Sequence, residues 1–197
     1  MSELSAISAC RSAAIGPGRI VLVVGPSGAG KDTLLSLARS ACADDGRIVF
    51  PRRVVTRQAS QAEDNDELTS DAFRQALMRG EFALHWEAHG HSYALPRRIE
   101  EDIRAGRTVV INVSRTVIDA VRRAYTNVVV VSITAPPEVL AERLKMRARG
   151  SDGKIENRLS RAVDDALTRP DVTIVNVGDV ADHARQFVEI IKDKGAL

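Results

Sequence analysis

Gly25-Pro-Ser-Gly-Ala-Gly-Lys31 sets three glycines and one ammonium within seven residues. The spacing satisfies GxxxxGK, which cradles phosphate when it lies between a strand and a helix. Small residues let backbone N–H groups converge on an anion, and the following helix adds the positive end of its dipole. A lysine at this place reaches the β- and γ-phosphates of a nucleoside triphosphate. The nucleotide-binding candidates are therefore Gly25, Pro26, Ser27, Gly28, Ala29, Gly30, Lys31, Asp32 and Thr33. The residue after the lysine departs from the pattern, which has Ser or Thr there to meet Mg²⁺. Here it is Asp32, with Thr33 next. A carboxylate beside the β-phosphate repels a nucleotide unless a cation lies between them. Asp32, directly or through bound water, and Thr33 are thus the metal candidates for Mg²⁺ carried with the nucleotide. The same carboxylate also favours the start of a helix, and both readings stand.

The elements around the loop have the required order. Arg19–Gly25 is a β-branched apolar run, and Asp32–Ala43 carries apolar residues at helical spacing. Residues 48–57 predict a strand interrupted by Pro51, 58–69 an acidic turn, and 70–79 a short helix stopped by Gly80. Short strands are expected over 81–93 and a helix over 96–105. Residues 108–113 and 127–134 are near-continuous apolar runs, as in strands buried on both faces of a parallel sheet. Helices are expected over 137–149, 155–167 and 180–192, and a last strand over 172–177. Strands alternating with helices predict an α/β fold, a doubly wound sheet. Residues 1–18 read as a flexible leader and 19–197 as one domain.

Bulk properties narrow the partners. The 197 residues are 44% hydrophobic and 27% charged, ordinary for a globular chain, and a net charge of +2 gives no bulk attraction to nucleic acid or membrane. No apolar run approaches the length of a membrane span. Cys10 and Cys42 lack a metal or redox spacing and read as reduced thiols of a cytoplasmic protein. His85, His89 and His91 lack a ligand pattern of known spacing, and polar roles at the surface or acceptor site are favoured over zinc. Trp86 reads as core or pocket wall. The acidic run Glu63, Asp64, Asp66, Glu67 reads as a solvated loop, or as a partner for sugar hydroxyls. Arg makes up 23 of the 28 cationic residues, and its planar fork suits phosphate. Composition accounts for most of them.

GPSGAGKDTLL, VVTR (54–57), GEFALHWEAHGHSY (80–93) and ERLKMRARG…ENRLSRA (142–162) occur in the order seen in guanylate-kinase-like proteins. The chain resembles most the ribose 1,5-bisphosphate phosphokinase family within that group. The GKD form of the loop and the segment Asn112–Arg115 carry that resemblance. It implies a P-loop nucleotide kinase fold with an acceptor-binding insert (about 58–95) and an Arg-bearing lid (about 143–162). It implies ATP and a sugar bisphosphate as substrates, phosphoribosyl diphosphate and ADP as products, and no nucleic acid or membrane partner. The oligomeric state is left open.

In guanylate kinases two arginines of a TRxxR segment clamp the acceptor phosphate. Here Arg57 matches the first and Ser60 stands at the second. Leu84 stands where a Glu reads guanine, Asn112 and Ser114 where a DxD pair ends the middle strand, and Ala94 follows Tyr93 where the family has Gly. Arg57, Tyr93, Asn112, Ser114 and Arg115 are the acceptor candidates, without the guanine readers on which specificity for that base would rest. Lys31, Arg143, Arg147 and Arg158 are the catalytic candidates, with Arg149 and Arg161 weaker. Arg143 and Arg147 share a helix face. The alternatives are a nucleoside-monophosphate kinase of relaxed base choice and, more remotely, a non-catalytic binding module. Asn176–Gly178 falls where kinases of this group pass the adenine.

Overall fold

All six residues of Arg19–Val24 (β1) are buried, which a strand achieves only when both its faces are covered. The computed structural model describes residues 13–56, 65–88, 90–148 and 169–193, the side chains of 147 and 148 excepted. After β1 come α1 (Lys31–Ala41), β2 (Ile48–Val49), β3 (Arg53–Val55), β4 (Asn65–Glu67), α2 (Ser70–Met78), β5 (Phe82–Ala88), β6 (His91–Pro96) and α3 (Ile99–Arg104). Then follow β7 (Thr108–Asn112), a 3₁₀ turn (Arg115–Val117), α4 (Ile118–Ala124), β8 (Val128–Thr134), α5 (Pro137–Ala148), β9 (Val172–Val175) and α6 (Val180–Lys192). One sheet has the order β2-β7-β1-β8-β9, and its pairs β2–β7 and β8–β9 are parallel. A second sheet has the order β4-β3-β6-β5. Among the described residues no helix is long and apolar enough to cross a membrane.

The chain divides into two compact units, Met1–Leu22 with Asp45–Val128, and Val23–Asp44 with Val129–Leu197. In the first, the second sheet closes over a core of Val54, Phe73, Phe82 and Ala94, with the Phe73 and Phe82 rings 4.9 Å apart. In the second, α1 buries Leu34 and Ala38, and α6 buries Ala184, Phe187 and Ile191 at helical spacing. These two helices pack on each other. Asp179 caps α6 by accepting from the Ala181 N–H at 2.9 Å. Asp179→Ala is expected to cost about 1 kcal/mol and to lower the melting temperature by about 2–4 °C. An unchanged thermal melt would mean that packing alone fixes the helix start.

The structure revises several sequence expectations. Pro51 does more than interrupt a strand: β2 and β3, on either side of it, belong to different sheets. The acidic segment 58–69 contains a strand, because β4 pairs in parallel with β3 and buries Asn65 against Arg53. Pro96 closes β6 opposite Phe82, because pairing with β5 holds the chain extended through that residue, and α3 starts only at Ile99 after a turn at 97–98. A 3₁₀ turn and a helix occupy 115–124, a stretch for which the sequence pattern predicts no element. Of the leader, residues 13–18 are described. Ile15 is buried and donates its N–H to Ala124 O at 2.8 Å, and Gly18 donates to Ile103 O at 2.8 Å.

Candidate active site

The loop after β1 is built on backbone that only glycine supplies. Gly25 has φ +139, and a Cβ there would lie 1.9 Å from Ile133 O. Gly30 has φ +88 and is the cap residue of α1, without a side-chain cap. By contrast α2 and α6 are capped by Thr69 and Asp179. The positive end of α1 is therefore not answered by its own cap residue, the arrangement in which a helix N-terminus receives phosphate.

Charged groups converge on this loop within the second unit. Lys31 Nζ donates to Gly25 O and Pro26 O, each at 2.9 Å, which seats the ammonium on the loop's opening residues. Asp32 is half-buried in the first turn of α1, and Thr33 is exposed. Arg143 arrives from α5. Its Nη2 donates to Asn176 O at 3.0 Å and its Nη1 to Gly28 O at 3.4 Å. Leu140 and Leu144, on the same helix, are buried. Asn176 is buried after β9, and its Nδ2 donates to Ala29 O at 2.8 Å. Among the described residues no carboxylate bonds to Arg143.

A second group lies in the first unit, at the end of β7. Asn112 is the last residue of that strand. The Ser114 hydroxyl accepts from Thr116 Oγ1 at 3.0 Å and from Thr116 N at 3.4 Å, which turns the chain so that Arg115 opens the 3₁₀ turn. Arg53 ties this end to Tyr93. Its Nη1 donates to Asn112 O at 3.4 Å, its Nε to Asn65 Oδ1 at 3.2 Å, and its Cζ lies 5.9 Å from the centre of the Tyr93 ring. Tyr93 is buried and stacks on Trp86 at 5.5 Å with an interplanar angle of 9°. Burial holds the neighbouring His85 imidazole below its ordinary pKa, against an opposing pull from Glu87.

The predicted residues thus fall into two sets. Lys31, Asp32, Thr33 and Arg143 gather at the phosphate loop; Tyr93, Asn112, Ser114 and Arg115 gather in the first unit. Arg57, Arg158, Arg149 and Arg161 lie outside the described residues, as do Ser60, His89 and the lid beyond residue 148. Arg147 lies one turn after Arg143 on α5, its side chain not described. Sequence reasoning missed Arg53 and the contact of Asn176 with the loop. Arg53 lies in a stretch that the sequence marks only as strand, and its contact with Asn112 spans 59 residues.

A family model for guanylate kinase matches residues 17–194. A ribose 1,5-bisphosphate phosphokinase of Bradyrhizobium diazoefficiens is 62% identical over 98% of both chains. This chain belongs to the ribose 1,5-bisphosphate phosphokinase family. A second member, from Rhodopseudomonas palustris, is 65% identical over 90% of both chains. A third, from Methylobacterium radiotolerans, is 50% identical over 87% of this chain and 96% of its own. A crystal structure of guanylate kinase from Anaplasma phagocytophilum superposes with a TM-score of 0.64 at 22% identity, over 91% of this chain and 86% of that one, and so shares the fold.

Against the guanylate kinase pattern, this family member carries Leu84 at the position expected to read guanine. The side chain is 2% exposed, in β5 opposite Leu95. A buried aliphatic group offers no hydrogen bond to a base edge, and such bonds supply the large specificity ratios. Among the described residues no group of three His, Cys, Asp or Glu is placed to hold a metal. Asp32 and Thr33 would share an ion with phosphate oxygens, which suits Mg²⁺ because it usually takes one or two carboxylates plus substrate phosphates.

Proposed function

We propose that this protein transfers the γ-phosphoryl group of ATP to ribose 1,5-bisphosphate, giving phosphoribosyl diphosphate and ADP. The observation that carries the reading is the phosphate loop, intact from Gly25 to Lys31 and met by Arg143, in a chain 62% and 65% identical to relatives bearing that name. An oxygen of the acceptor's 1-phosphate attacks the γ-phosphorus, and the bond from that phosphorus to the β-bridging oxygen breaks. A phosphate monoester has its second pKa near ~6 and is largely dianionic at neutral pH, so no strong general base is needed. The difficulty is aligning two polyanions, and catalysis is mainly positioning and charge neutralisation. In this reading Lys31 serves the β/γ bridge, with Arg143, Arg147 and Arg158 around the moving group. Arg57, Tyr93, Asn112, Ser114 and Arg115 hold the acceptor. Asp32 and Thr33 would hold Mg²⁺ with ATP, which would supply neutralisation of phosphate charge. We place the enzyme in the cytoplasm, where ATP and sugar phosphates are found.

ADP release with ribose 1,5-bisphosphate, with GMP, and with neither tests this reading. Turnover is expected with the sugar bisphosphate. Efficient turnover with GMP alone would replace it with a nucleoside-monophosphate kinase, and ATP binding without turnover would favour a binding module. Trp86 gives a second reading of the acceptor site, because it is the single tryptophan and stacks on Tyr93. Ribose 1,5-bisphosphate is expected to change its emission saturably. Emission that ignores concentrations saturating turnover would remove Tyr93 from acceptor binding.

A further inference from the structure

Asn176 occupies a position that its place in the sequence does not explain. It follows the last strand, where a loop passing the adenine was expected, yet its side chain turns onto the phosphate loop. The residue is 5% exposed. Its backbone N–H donates to Thr134 O at 2.7 Å, which fixes it against the end of β8. From that fixed point it makes two contacts of opposite polarity. The carboxamide Nδ2 donates to Ala29 O at 2.8 Å, and the backbone carbonyl accepts from Arg143 Nη2 at 3.0 Å. Ala29 O can only accept, so the atom facing it is the amide nitrogen. The fit is close: a Cβ on Gly30 would lie 2.3 Å from that nitrogen.

We propose that Asn176 is the positioning residue of the phosphoryl-transfer site, setting the phosphate loop and Arg143 from a single anchor. This rests on the reading that Gly25–Thr33 holds the phosphates of ATP. The chemistry restricts the residue type. Asp would set an acceptor against the Ala29 carbonyl and place a negative charge beside a polyanion. Ala would leave Ala29 O without this donor and the loop free to shift. A displacement near 1 Å costs about 100-fold when catalysis depends on positioning. Asn176 need touch neither substrate for the effect to appear, because its carboxamide acts through the loop, while its main-chain carbonyl, which every variant keeps, holds Arg143.

The test uses the full chain. The wild-type protein is first melted with and without MgATP. A rise in melting temperature upholds the phosphate-loop reading, and no rise sinks that reading whatever the variants do. Steady-state kinetics then compare Asn176→Ala with wild type. The expected result is a fall in kcat of about 10- to 100-fold, with KM for ATP changed much less and a cooperative melt retained. A wild-type kcat in a protein that still binds MgATP overturns the inference and leaves the loop reading intact. Asn176→Asp supplies a readout that a purely structural role would not move. Protonation restores a donor toward Ala29 O, so the ratio of variant to wild-type kcat should rise as pH falls from neutrality. A ratio flat with pH, in a folded variant, also overturns the proposal.

Discussion

Lys31→Ala is expected to lower kcat by about 1,000-fold and to leave a cooperatively folding protein, removal of one preplaced donor to developing charge being worth about 10²–10³ in rate. Two observations separate the effect on chemistry from the effect on stability. The ammonium is seated by Gly25 O and Pro26 O at 2.9 Å, so the charge is placed before a phosphate arrives and needs little reorganisation. The same bonds tie the side chain to the loop. Their loss should lower stability by about 1–3 kcal/mol, which for a chain of this size lowers the melting temperature by about 2–12 °C. A melt and a kcat measured on one preparation separate the two. Activity within tenfold of wild type, in a folded variant, would take Lys31 out of the transfer step.

The phosphate loop was legible because its requirements are local. Gly25 and Gly30 need positive φ, and a lysine must follow, all inside seven residues. The runs that became β7 and β8 were legible too, since a strand buried on both faces has no polar alternation to obscure it. What stayed hidden depends on partners far along the chain. β4 is a strand only because β3 offers an edge to its polar sequence Asn-Asp-Glu, and nothing in those three residues favours extended backbone. The end of β6 is set by pairing with β5, so Pro96 joined the wrong element in a reading based on local signals.

The same division runs through the site. Arg143 and Arg147 could be assigned to one helix face, but not to a neighbour. That Arg143 meets Gly28 O, 115 residues earlier in the chain, is a tertiary fact. The side chain docks on the phosphate loop from a helix that buries Leu140 and Leu144, so its guanidinium is set with the loop.

That placement yields the second large effect. Arg143→Ala is expected to reduce kcat by about 1,000-fold, within the range set by arginines that stabilise phosphoryl transfer, and Arg143→Lys by about 100-fold. The lysine variant is impaired because the site uses the fork and not only the charge. Nη1 and Nη2 address different carbonyls, Gly28 O and Asn176 O, and a single ammonium has no planar pair of nitrogens with which to span them. No carboxylate among the described residues neutralises this guanidinium, so its charge is available to a phosphate. The ligand-free melt of Arg143→Ala should fall by about 2–12 °C, as for Lys31→Ala, because two charged bonds to part-buried carbonyls are lost, while the rise produced by MgATP also shrinks. Added guanidinium ion should restore part of the activity of Arg143→Ala and none of the activity lost in Lys31→Ala, since only the first substitution leaves a space shaped for a fork. Arg185→Ala is the control, because that arginine is exposed on α6 and paired with Asp182. Equal losses at Arg143 and Arg185 would show that net charge, and not the carbonyl-held fork, governs the rate.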